Sequence, residues 1–128
     1  MSRDELISLV RIYFNGVDNK NIDQIFSTLS EDCKFSVETH EVVLVGKERI
    51  RGMFERLWSN HTAVQHDKFH DIVDVESGNI ATQFRVINTL ENGDKVYKSN
   101  CNFFSVHDAV FDTVAVYMAG ENTLDHAD

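Results

Sequence analysis

IATQFRVINTLENGDKVYKSNCNFFSV, residues 80–106, decides how this chain folds. Two runs rich in β-branched and aromatic residues, Ile80–Leu90 and Lys95–Val106, flank Asn92-Gly93-Asp94. Asn-Gly between such runs is a strong hairpin signal, because the tight type I′ turn needs positive φ at both central positions. Working outward, Ala63–Val75 and Val110–Ala119 have the same character, set off by Ser77-Gly78-Asn79 and His107-Asp108. The second half is therefore expected as a long antiparallel meander. Strands of about ten residues twist and curl, so their concave face needs a cover.

The first half supplies one. Ser2 and Glu5 make a capping-box pattern, and behind them Leu6, Leu9, Val10, Tyr13, Phe14 and Val17 share a helical face, with Asn15-Gly16 and Asp18-Asn19 marking its end. Ile22, Ile25, Phe26 and Leu29 mark a short second helix. Cys33–Val37 and Val42–Val45 read as short strands. Gly46-Lys47-Glu48 opens a third helix, with Ile50, Met53, Phe54, Leu57 and Trp58 at i, i+3, i+4, i+7 and i+8. The expected class is α+β: a cone-shaped, curved, mixed or antiparallel sheet around three helices, in the order α-α-β-β-α-β-β-β-β.

Composition bounds the function. A chain of 128 residues with 42% hydrophobic and 26% charged residues is about one domain with a real core. The net charge of -9 and the absence of Lys/Arg clusters disfavour nucleic acid and anionic membrane surfaces as partners. No apolar run approaches the length of a membrane span. The polar start, Met1-Ser2-Arg3-Asp4-Glu5, is unlike a signal peptide. Cys33 and Cys101 are not in C-x-x-C spacing and read as reduced, half-buried thiols, so the cytoplasm is the expected compartment.

Several stretches carry a family resemblance. They are Tyr13 running into Asn21-Ile22-Asp23-Gln24-Ile25-Phe26, then Leu29-Ser30-Glu31-Asp32-Cys33-Lys34-Phe35, then Val45-Gly46-Lys47-Glu48-Arg49-Ile50-Arg51, and the ending Asn102-Phe103-Phe104 through Val114–Met118. Together they resemble the SnoaL-like polyketide cyclase and ketosteroid isomerase families of the nuclear-transport-factor-2-like superfamily, across nearly the whole chain. The resemblance implies a single SnoaL-like domain over residues 1–128, with a cystatin-like α+β barrel. It also implies an apolar pocket, a homodimer joined through the outer sheet face, and chemistry without a cofactor.

Isomerase members use an Asp base and an oxyanion hole of a Tyr and a protonated Asp. By resemblance Tyr13 takes the tyrosine's place. The base position falls on Val37, with Glu38 beside it, which would need a bulge to face inward. The partner acid falls on Cys101, or on Asn102 if the register slips by one.

The residues themselves leave alternatives open. Tyr13 reads either as a phenol polarising a ligand carbonyl or as a core tyrosine. His66 is a candidate general base, since imidazole titrates near neutrality; the plainer reading is a rim histidine. His66 and His70, four residues apart on a strand, lie too far apart to share a metal ion, so no metal site is expected. Asn100 and Asp112 are weaker hydrogen-bonding candidates. Phe54, Leu57, Trp58, Phe84, Val86, Tyr97, Phe103, Val116 and Met118, with Val37 and Cys101, are the expected pocket lining, or else ordinary core. Arg85, Ile87, Phe104, Val106 and Tyr117 are expected on the outer face.

The resulting expectation is a pocket for a small apolar molecule, with Tyr13 as donor and His66 or Glu38 as base. Proton transfer next to a carbonyl, as in isomerisation, cyclisation or dehydration, would be its chemistry. The alternative is a non-catalytic ligand-binding or dimerisation module of the same fold.

Overall fold

The computed structural model describes residues 1–120. Helix α1 (Arg3–Asp18) starts at a complete capping box: the Glu5 backbone N–H donates to Ser2 Oγ at 3.1 Å and the Ser2 N–H to Glu5 Oε1 at 2.8 Å. It ends at Asp18 with Asn19 as its C-cap, the second of the two expected end signals, while Gly16 lies inside the helix and packs against α2 (Ile22–Phe26). A Cβ there would sit 2.8 Å from Ile25 Cγ1, so the glycine is kept by close approach rather than by chain reversal. Leu29 belongs not to α2 but to β1 (Leu29–Val37), which is followed by a short 3₁₀ turn, Glu38–His40. β2 (Val42–Val45), α3 (Lys47–Asn60), β3 (Ala63–Asp74), β4 (Asn79–Thr89), β5 (Lys95–His107) and β6 (Val110–Tyr117) complete the order.

The six strands form one open sheet, β2-β1-β6-β5-β4-β3. All neighbours are antiparallel except β1 and β6, which run parallel. The β4–β5 connection is not a type I′ turn. Only Gly93 has positive φ, at 90°. The Gly93 N–H closes a turn onto the Leu90 carbonyl at 3.0 Å, and Asn92 Oδ1 accepts from the Asp94 N–H at 2.9 Å. Asparagine thus stabilises the turn through its side chain.

Helices α1 and α3 lay their apolar faces on the sheet: Leu6, Val10, Tyr13, Phe14 and Val17 from one, Ile50, Met53, Phe54 and Leu57 from the other, all at most 3% exposed. The strands answer with alternate residues, including Phe84 and Val86 of β4 and Val114 and Val116 of β6. In β5 the alternation runs opposite to expectation. Asn100, Asn102 and Phe104 are buried, whereas Tyr97 (59% exposed) and Phe103 (52%) lie on the outer face. Cys101, paired with Tyr117, alternates outward with them. Pairing of Asn102 with Thr82 and of Phe104 with Ile80 fixes this register, and a slip of one residue exchanges the faces of a whole strand. Tyr97, Cys101 and Phe103 are therefore not lining residues, and Phe104 belongs to the core rather than the outer face. Val106, after a register shift beside Ser105, packs partly against the core as well.

Candidate active site

Between α1, α3 and the concave face lies a cavity of about 30 Å³, room for roughly two water molecules. Its apolar wall includes Phe54, Leu57, Phe84, Val86, Val116 and Met118, six of the expected lining residues. Its polar groups are Tyr13 and His66 together with three asparagines, Asn88, Asn100 and Asn102.

Tyr13 is 3% exposed and ringed by aromatics. Phe14 and Phe104 lie 5.0 and 5.6 Å from its ring centroid, and Phe54 and Phe111 both 6.3 Å. Burial, and secondarily the neighbouring Cys33, push the phenol well above its ordinary range. The group therefore stays protonated and remains a hydrogen-bond donor.

His66 reaches the cavity from β3, and its side chain is 8% exposed. Its ring Nδ1 and Asp18 Oδ1 are 2.5 Å apart, and its backbone N–H donates to Asp18 Oδ2 at 3.0 Å. A carboxylate on Nδ1 selects the tautomer with the proton there, which makes Nε2 the nitrogen that accepts a proton. Phe14 and Phe84 flank the imidazole at 4.8 and 5.5 Å. Two residues beyond, a bulge with Lys68 at φ 55° switches the faces of β3, so Phe69 follows His66 onto the inner side and His70 is turned out, exposed.

The asparagines enter on β4 and β5. Asn100 Oδ1 accepts from the Ala119 N–H at 3.1 Å, tying the end of β6 to the cavity wall. Asn102 is 2% exposed, and among the described residues no donor reaches its Oδ1, an uncommon state for a buried acceptor.

The other sequence candidates lie elsewhere. The strand ends at Val37, so Glu38 falls on the exposed 3₁₀ turn outside the cavity lining, and no bulge re-aims it. Val37 is fully buried in β1, paired with Val116, but does not line the cavity. Trp58 stacks on Phe54 at 5.7 Å and its indole N–H donates to the Val17 carbonyl at 3.0 Å, so it backs the wall. Among the described residues no group of three His, Cys, Asp or Glu side chains is placed to hold a metal ion.

Asp18 escaped the sequence reading, as did the inward asparagines Asn88 and Asn102 as a set. Asp18 did carry a signal. It is the last residue of α1, where the helix dipole disfavours a negative charge, and the last turn holds no basic residue. A donor from outside the helix offsets that penalty, and His66 supplies it.

The fold has many solved counterparts. A candidate polyketide cyclase from Xanthomonas campestris pv. campestris superposes with a TM-score of 0.83 at 17% identity, covering 90% of each chain. TerC, co-crystallised with polyporic acid, gives 0.78 at 11% identity, over 89% of this chain and 91% of its own. A candidate ketosteroid isomerase from Kribbella flavida DSM 17836 gives 0.75 at 14%, over 93% and 81%. At these identities the likeness is one of fold. No curated protein matches the chain. The model of the SnoaL-like domain matches residues 10–118, which span both halves of the cavity wall, and the chain belongs to the SnoaL-like domain family.

Proposed function

We propose that the protein binds a small apolar carbonyl compound in the cone and moves a proton next to the carbonyl, without a cofactor. The observation that carries this is the His66–Asp18 pair at the wall of a cavity that also holds a buried phenol. His66 Nε2 takes the α-proton, and Asp18 stabilises the imidazolium that forms. The enolate oxygen develops against the Tyr13 hydroxyl, and side-chain amides on the same wall add donors. Return of the proton to another carbon gives isomerisation. Loss of a β-hydroxyl as water gives dehydration, and attack of the enolate on a second carbonyl gives cyclisation.

The test is α-proton exchange. Aryl and cyclic ketones incubated with the protein in D2O should lose their α-proton NMR signals faster than in buffer, and His66→Gln should abolish the gain. No acceleration for any ketone in the panel overturns the catalytic reading.

Two observations favour a second reading, a non-catalytic binding module. Val37 occupies the place where the resemblance puts an Asp base, and the cavity is small. Saturable binding of ketones without exchange would establish it. Under either reading the outer face, with Tyr97, Phe103 and Tyr117 exposed, is the proposed homodimer surface. The two free cysteines suit a cytoplasmic protein.

A further inference from the structure

We propose that the interior cavity and the groove between α1 and β3 are one binding site. Its ligand is a neutral ketone with a short carbonyl head and a flat aromatic tail. The identity of the head rests on the proton-transfer reading above; the tail site does not.

The groove, with a volume of about 400 Å³, lies along the outer side of α1. Phe14 and His66 line both this groove and the interior cavity. Their rings, 4.8 Å apart and tilted by 40°, form the partition between the two spaces. The interior alone takes only an acyl-sized group, whereas a site that buries a whole metabolite has about 300 Å³ or more. The groove supplies the difference.

Its chemistry describes the tail. Phe69 forms an aromatic wall, with the Arg11 guanidinium 4.1 Å over its ring centroid. Ile12, 40% exposed, offers an apolar lip. Asn15 and Gln24 join their amides at 2.9 Å along the rim. Arg11, the cation that lines the groove, is paired with Asp71, and the Asp18 carboxylate is hydrogen-bonded to the neutral His66 ring, so the lining offers no unpaired positive charge to an anionic tail. A flat ring with neutral polar substituents fits this lining.

The orientation follows from the donors. The buried Tyr13 phenol and Asn88, Asn100 and Asn102 line only the inner space, so the carbonyl goes in first. A ligand spanning both spaces must swing the Phe14 ring aside, a rotamer change of the kind side chains make quickly.

The test uses two probes: acetyl-dimethylaminonaphthalene, whose emission reports polarity and which has an acetyl head on a flat tail, and acetone, which has the head alone. The fluorophore should bind with blue-shifted emission. It should also shift backbone amide NMR signals on both sides of the partition, at Ile12 and Asn15 as well as around Asn102. Ser8→Trp, which fills the groove from an exposed position on α1, should lower the ratio of fluorophore to acetone affinity about tenfold or more. Phe14→Ala should speed fluorophore association.

Absence of binding, or amide shifts confined to one side of the partition, overturns the proposal, and the shift map needs no variant. Binding as described with no exchange of the acetyl protons leaves the two-part site standing and removes the catalytic reading instead.

Discussion

Asp18 closes helix α1 and holds His66 of β3 by two hydrogen bonds, one to ring Nδ1 at 2.5 Å and one from the backbone N–H at 3.0 Å. The grip fixes both the tautomer and the position of the ring. Asp18→Asn keeps the shape but can present an amide N–H to Nδ1, which favours the wrong tautomer. Exchange activity should fall about a hundredfold or more, in line with general-base contributions. The same change removes charge-assisted bonds and should lower stability by about 1.5–3 kcal/mol. Rates and urea midpoints on one preparation separate the two effects.

Tyr13→Phe keeps the aromatic packing with Phe14, Phe104 and Phe111 and deletes the donor. Turnover should fall by about 10²- to 10³-fold, the typical loss of one oxyanion donor. The urea midpoint should hold or rise, since a buried hydroxyl is exchanged for hydrogen. Unchanged turnover would remove Tyr13 from the mechanism.

Alkaline pH should loosen the fold. Burial first, then the nearby negative charges of Asp112 and Asp32, push the Cys33 thiol from its ordinary 9.0 to about 12. Its proton is held more tightly in the folded state, so the unfolded chain ionises first as pH rises. This contribution is complete below pH 9 and is lost progressively up to about pH 12. The raised Tyr13 phenol acts in the same direction. Urea midpoints should decline above pH 9, and Cys33→Val should flatten that decline.

Gly16→Ala should destabilise by about 1–3 kcal/mol, because the new methyl meets Ile25 Cγ1 at 2.8 Å and the α2 backbone lies just behind it. Pairing it with Ile25→Val should recover part of the loss in thermal melts.

The fold was legible because its signals agree: the Ser2–Glu5 box, the periodic faces of α1 and α3, and the strand runs from Ala63 onward all point the same way. What failed was β5. Hydrophobic patterning favours Tyr97, Cys101 and Phe103 for the inner face. The chain instead turns Asn100 and Asn102 inward, against transfer preference. Such a local violation is expected where polar groups serve a site, and no pattern rule places buried asparagines in advance. His66 was legible as a residue type. Its partnership with Asp18, 48 positions earlier, was not, because it is made by the docking of α1 on β3. Glu38 was misplaced because strand alternation says nothing about where a strand stops.

In the proposed complex a ligand's carbonyl oxygen meets the Tyr13 phenol while its carbon framework meets the His66 imidazole in one cavity. A crystal structure with naphthol, a stable planar mimic of an enolate, tests this directly. The naphthol oxygen should lie within hydrogen-bonding distance of Tyr13 Oη, with the ring edge facing His66 Nε2. Naphthol seated on the outer sheet face, with the space beside Tyr13 still closed, would contradict it.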